Sequence, residues 1–155
     1  MPLQKRYFHQ LALITAVMTG AYLVSNIIYS ASNSTKYRFF WLTSSVPEKN
    51  DYAMFRYPDN DYLTSRDVTD PFTKRIGCVG HDSLELRNNI YYCNGKFLGI
   101  QLKKDSEGKN LPLFVYSGEI PEGKVFMVGD NPRSGDSRYF GLVDISSAKK
   151  VIPLW

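Results

Sequence analysis

The sequence is poor in the residues on which most familiar chemistries depend. It has two histidines, His9 and His81, and two cysteines, Cys78 and Cys93. It contains no glycine-rich phosphate loop and no HExxH, so P-loop phosphoryl transfer and zincin-type proteolysis have no motif here. A Ser-His-Asp triad would have to use His81, because His9 stands ahead of a long apolar run. Cys78, His81 and Cys93 offer three metal ligands without a fourth, which falls short of a closed site. His81 therefore reads as a turn residue, and no cofactor is expected. Basic runs never exceed two residues, and two of the net +4 charges come from Lys5 and Arg6. Such dispersed charge does not suggest nucleic-acid binding; it suits a solvated surface near anionic lipid headgroups.

Charge is also absent, of either sign, from Gln10 to Thr35. Within that stretch Leu11 to Tyr29 reads LALITAVMTGAYLVSNIIY, which as a helix would measure roughly 28 Å, close to the thickness of bilayer hydrocarbon. A cleavable leader would share the basic start at Lys5-Arg6 and the small residues Ser30-Ala31-Ser32, but its apolar core should be shorter, about 7–15 residues. A retained anchor is the expectation, with a lipid bilayer as partner. The basic flank puts the N-terminus in the cytoplasm and the remainder outside. Residues 1–30 then form a cytoplasmic tip and anchor, and 31–155 an extracytoplasmic domain. In an oxidising compartment Cys78 and Cys93 can close one disulfide; two buried free thiols are the alternative.

Beyond the anchor, helical periodicity gives way to short apolar and aromatic segments. Strands are expected at 38–42, 52–56, 72–79, 83–87, 90–93, 113–116, 124–128 and 142–145. Asn88-Asn89 suits the positive φ angles of a two-residue hairpin turn. Residues 57–71 and 103–110 are polar and read as surface loops. Many short strands separated by turns predict a mainly antiparallel β domain on one N-terminal transmembrane helix.

With histidine and metal chemistry set aside, serine activated by lysine remains. About one free lysine in two thousand is neutral at pH 7, but desolvation can lower its pKa by as much as about 3–5 units. Such a base needs a strand position among apolar neighbours. Lys74 has one, because alternation sends it to the face of Phe72 and Ile76 and sends Arg75 to the other.

The stretches "TKRIGCVGHDSLEL", "IYYCNG" and "IPEGKVFMVGDNPRSGDSRYFGLV" resemble the type I signal peptidases, the S26 family of Ser/Lys serine peptidases. The family patterns have the form KRVxGxPGDxVxV and PxGxxFxxGDNxxxSxDSRxxG. Lys74-Arg75 and Asp82 fit the first; Gly129-Asp130-Asn131 and Ser134-x-Asp136-Ser137-Arg138-x-x-Gly141 fit the second. The likeness runs from about Ser32 to the C-terminus, and the short chain with its closing Pro-Leu-Trp is similar to the TraF-like branch, which matures conjugative pilins. It implies a signal-peptidase-like β fold, Lys74 as general base, Ser134 as the hydroxyl that orients its amine, and Asp136 paired with Arg138 to brace the turn.

The family's SxSMxP box reads Ser32-Asn33-Ser34-Thr35-Lys36-Tyr37 here, without the methionine and proline. By that alignment Ser34 is the nucleophile, and the Ser32 hydroxyl with the Ser34 backbone N–H forms the oxyanion hole. If Tyr37 holds the nucleophile's place instead, the chain is inactive. The implied function is a serine endopeptidase of the inner (cytoplasmic) membrane with its catalytic domain in the periplasm. It would mature prepilin, or another exported protein with small residues before the cleavage site, for conjugation, with hydrolysis and cyclisation both open. Phe39, Phe40, Phe55 and Tyr57 are candidates for the substrate groove. The competing reading is a catalytically inactive scaffold protein of the pilus apparatus.

Overall fold

The computed structural model describes residues 3–56 and 71–154. Tyr57 and most of the expected 57–71 loop lie outside the described residues. The chain opens with helix α1 (Leu3–Ser25), whose stretch Tyr7–Ser25 has a mean hydropathy of 1.3 and is long and apolar enough to cross a membrane. No part of that stretch is buried against the rest of the protein.

The helix stops four residues short of the expected Tyr29. The side chains of Ser25 and Asn26 turn back and donate to the carbonyl of Tyr22 (2.9 and 2.8 Å), satisfying an acceptor that the next helical turn would have used. Ile27–Tyr29 then forms strand β1, as β-branched and aromatic residues favour. It pairs with β2 (Phe39–Leu42), Ile27 opposite Trp41 and Tyr29 opposite Phe39.

The remaining strands are β3 (Tyr52–Phe55), β4 (Phe72–Val79), β5 (Ser83–Arg87), β6 (Ile90–Cys93), β7 (Lys96–Ile100), β8 (Gly118–Glu119), β9 (Lys124–Val128), β10 (Val143–Asp144) and β11 (Lys149–Pro153). They build two antiparallel sheets, in the orders β1-β2-β11-β3-β4-β9-β10 and β7-β6-β5-β8. The expected mainly antiparallel β domain behind one apolar helix is thus what the chain forms.

Each sheet has its own core, and two strands serve both. Val125 and Met127 of β9 join Ala53, Phe55 and Ile76 in one cluster, while Phe126 and Val128 join Leu84, Tyr91 and Ile120 in the other. A strand apolar on both faces needs no alternation. In β4 the register slips between Ile76 and Cys78, so these two residues enter different cores despite their two-residue spacing. Cys78 and Cys93 are joined in a disulfide that ties β4 to β6.

Two expectations fail locally, and one strand appears where none was expected. Leu113–Tyr116 forms no strand. The Phe114 N–H donates to the Arg138 carbonyl, and its own carbonyl takes Gln101 Nε2 and the Tyr91 hydroxyl, so side chains supply the bonds a strand partner would. The segment 142–145 pairs with β9 through Val143 and Asp144 alone before a 3-10 turn, Ile145–Ser147, takes over. Asn94 and Gly95 both have positive φ (49° and 74°) and form the turn into the unexpected β7.

The disulfide closes a loop of sequence separation 15. Its removal by paired Cys78→Ala and Cys93→Ala substitution is expected to cost about 3 kcal/mol, read as a lower urea midpoint with little change in slope.

Candidate active site

Strand β4 places Lys74 on the same face as Ile76 and directly opposite Ala53 of β3. Its side chain is 1% exposed, with the amine 5.3 Å from the centroid of the Phe72 ring. Among the described residues no carboxylate forms an ion pair with it. Burial draws its pKa down to about 8. The Asp136 carboxylate opposes that shift, and the Arg138 guanidinium reinforces it. At pH 7 about one such amine in ten is neutral, against fewer than one in a thousand free lysines.

The Asp136 carboxylate makes its direct contacts elsewhere. Both of its oxygens lie 2.7 Å from Arg138, one from Nε and one from Nη2, and one also takes the Gly129 N–H at 2.8 Å. The stretch around them is a turn that leads into a helix. Asp136 caps a short helix, α2 (Ser137–Phe140), and accepts the N–H of Arg138. Ser137 points into the core and accepts the Met127 N–H at 2.8 Å. Arg138, 1% exposed, also donates to the carbonyls of Ile100, Pro132 and Ser134.

The β4–β9 ladder ends at the pair of Arg75 with Val128, and Lys74 and Gly129 are the next residues along the two strands. A Cβ at Gly129 would sit 2.1 Å from Ser134 Oγ and 2.9 Å from the Ser34 carbonyl, so three segments converge where a side chain is impossible. Ser134 is 4% exposed, and its hydroxyl has no hydrogen-bond partner among the described residues.

Ser34, 7% exposed, is fixed by its backbone: its carbonyl accepts the N–H groups of Asp130 (2.8 Å) and Asn131 (3.3 Å). Its hydroxyl lies 2.6 Å from that of Ser32, and among the described residues no hydrogen bond joins it to Lys74. Tyr37 packs edge-on against Phe40 and Tyr52.

Asp130, which fits the family pattern as the middle of Gly129-Asp130-Asn131, also links these segments. Its carboxylate accepts the Lys36 N–H and the Tyr52 hydroxyl and stands 3.7 Å from Arg75 Nε. Burial, and then this bond, hold the Tyr52 hydroxyl far above the usual phenol range. Of the proposed groove aromatics, Phe40 and Phe55 are core residues and Phe39 is partly exposed beside Tyr29. His81 occupies a turn with φ 68° and pairs with Glu119 at the surface. Cys78 and Cys93 lie close to Asp82, but their thiols are consumed by the disulfide.

Residues 5–154 match the family described as signal peptidase, peptidase S26. Similar proteins include signal peptidase IB of Staphylococcus aureus, 37% identical over 112 residues, 63% of this chain and 54% of the relative. A probable signal peptidase I-1 of Synechocystis sp. is 29% identical over 98 residues, 63% of this chain and 48% of the relative. The chain thus spans about half the length of these relatives. A crystal structure of a signal peptidase I from Enterococcus faecalis aligns with a TM-score of 0.46 and 27% identity, over 71% of this chain and 99% of that one.

A buried amine whose folded pKa lies near 8 and whose unfolded pKa is 10.5 destabilises the fold wherever it is protonated. That penalty is fully present below pH 8 and is relieved as pH rises from 8 to 10.5. Lys74→Met is therefore expected to raise unfolding free energy at pH 7 by on the order of 2 kcal/mol. In chemical denaturation across pH, the advantage should shrink towards pH 10.5.

Proposed function

The chain belongs to the S26 signal peptidase family, and from that premise we propose that it is a membrane-anchored serine endopeptidase acting on exported proteins through Ser34 and Lys74. One observation carries the reading. The Lys74 amine is dry, has no carboxylate ion-pair partner among the described residues, and belongs to the residue next to the last β4–β9 pair, at the end of which Ser34 and Ser134 meet over Gly129.

In this mechanism the neutral Lys74 amine takes the proton from Ser34 Oγ, which attacks the scissile carbonyl. The developing oxyanion is held by the Ser34 N–H, which donates to nothing else among the described residues, and by the Ser32 hydroxyl, already within reach of the nucleophile at 2.6 Å. The Lys74 ammonium returns its proton to the leaving amine, and the acyl-enzyme remains. Water, deprotonated by the same amine, then releases the acid and restores Ser34. The buried, unpaired Ser134 hydroxyl serves to aim the amine. Active-site hydrogen bonds often tighten only when substrate is bound, so the Ser32–Ser34 bond is expected to give way to Ser34–Lys74 in the complex.

The cellular reading that best fits the sequence is a prepilin substrate with small residues before the cut, processed for conjugation. The Tyr7–Ser25 span then crosses the cytoplasmic membrane with its N-terminus inside and the β domain in the periplasm. Hydrolysis and transfer to an internal pilin amine share the acyl-enzyme and differ in the second nucleophile. A non-catalytic pilus scaffold is the alternative, and the engagement of Ser34 Oγ with Ser32 is the observation in its favour.

Mass spectrometry of a co-expressed prepilin separates these. Cleavage should fall about a thousandfold or more in Ser34→Ala and in Lys74→Met. Ser137→Ala should keep the chemistry and lose stability through the Met127 N–H it leaves unpaired. Processing that persists in Ser34→Ala removes the nucleophile assignment, and a precursor untouched by the unaltered protein supports the scaffold. With a pKa near 8, kcat/KM should rise about tenfold per pH unit from pH 6 and level off above 8; a flat profile from pH 5 to 9 rules out lysine as the base.

A further inference from the structure

The segment that carries Ser34 contains neither glycine nor proline, and it lacks the box proline that would stiffen it. It is nonetheless tightly shaped. The β1–β2 register continues one step beyond Tyr29 and Phe39, where the Ser30 N–H donates to the Arg38 carbonyl at 2.8 Å. Residues 30–38 are therefore the hairpin loop of β1 and β2, and Ser34 is its midpoint. The inside of the loop is filled by its own last side chain. Arg38 Nη1 lies 3.4, 3.1 and 3.2 Å from the carbonyls of Ser30, Ala31 and Ser32, and Nη2 donates to Asn33 Oδ1. The opposite flank is held by the 129–131 turn, through the Asn131 side chain on the Asn33 carbonyl, two backbone bonds to the Ser34 carbonyl, and Asp130 on the Lys36 N–H.

We propose that Arg38 is a positioning residue, whose guanidinium gathers the carbonyls of the rising half of the loop and so fixes Ser32 and Ser34 in the pose needed for attack. This rests on the endopeptidase reading above. Ordering a flexible loop costs backbone entropy at every residue, and a proline would lower that cost in advance. A planar fork that reaches three carbonyls and an amide oxygen does the same work by contact. A lysine could not, because its point charge lacks the fork's spread of donors. The carbonyls of Ser30, Ala31 and Ser32 all face one cation, and the Asn33 carbonyl, whose peptide carries the Ser34 N–H, is held by Asn131 instead.

Two measurements on the full chain test the idea, one of them independent of activity. Amide hydrogen exchange across residues 31–35 should accelerate at least tenfold in both Arg38→Met and Arg38→Lys, while exchange in β4 and β9 stays as in the parent. Single-turnover cleavage should show kcat at least tenfold lower in both variants, KM within about twofold, and the pH inflection set by Lys74 unmoved. Exchange within twofold of the parent would overturn the clamp, whatever the activity. So would a Lys variant with full kcat, or a loss confined to KM. If the parent cleaves nothing while exchange accelerates in the variants, the clamp stands and the endopeptidase reading is what fails.

Discussion

An amine that is buried without a counter-charge is the constraint around which this protein is arranged. Such a group is costly, because removing an ammonium from water is repaid only by a partner, and the usual partner would be a carboxylate. The nearby candidate, Asp136, is enclosed by Arg138 and by backbone N–H groups, and the guanidinium beside it opposes its field on Lys74. A lysine kept near pKa 8 rather than above 10 is therefore the work of burial first, with the Arg138 guanidinium adding to it and the Asp136 carboxylate opposing it. Removing Arg138 would do more than weaken the turn, for it would release Asp136 to hold the Lys74 proton.

The same guanidinium explains the architecture of the loops. It reaches carbonyls at Ile100, Pro132 and Ser134, three points that no strand ladder connects. Gly99 lies so close that a Cβ there would be 3.2 Å from its Nη1, so the β7 backbone packs directly on the cation. In a domain of two small sheets, a buried ion pair with every donor used gives the irregular 129–141 stretch a unique fold. The crowding of Gly, Pro, Asp and Arg there is the composition of a turn built around one charge.

Much of this was legible in the residues, and the exceptions have physical causes. β4, β5 and β6 announce themselves through alternation and the Asn-Asn turn between the last two, whose φ angles of 51° and 60° are what those residues tolerate. The same alternation puts Lys74 with Ile76 on the core side. The end of α1 was not legible from apolarity, since Ile27-Ile28-Tyr29 is as oily as the helix before it; β-branching and the capping side chains decided the change. Leu113–Tyr116 looked like a strand because its side chains are apolar, whereas its backbone partners are the hydroxyl of Tyr91, the amide of Gln101 and the carbonyl of Arg138, which no local pattern encodes. The reach of Arg38 into its own loop was equally hidden, since a lone arginine at a strand start normally reads as a surface charge.

Gly129 shows how these separate devices become one site. Its N–H is held by Asp136, it follows the last β9 residue paired with β4, and the space its missing Cβ leaves is shared by Ser134 and the Ser34 carbonyl. With a contact of 2.1 Å at stake, even alanine would push the 134 turn and the 34 loop apart. The strand and the two loops come from distant parts of the chain, with independent reasons for their shapes: β4 from its apolar face, the 129–141 turn from Arg138, and the 30–38 loop from Arg38. None of these alone brings the Ser134 hydroxyl and the Ser34 carbonyl together over one residue. A residue without a side chain lets them close on one point, and the geometry of the site is set there by exclusion as much as by attraction.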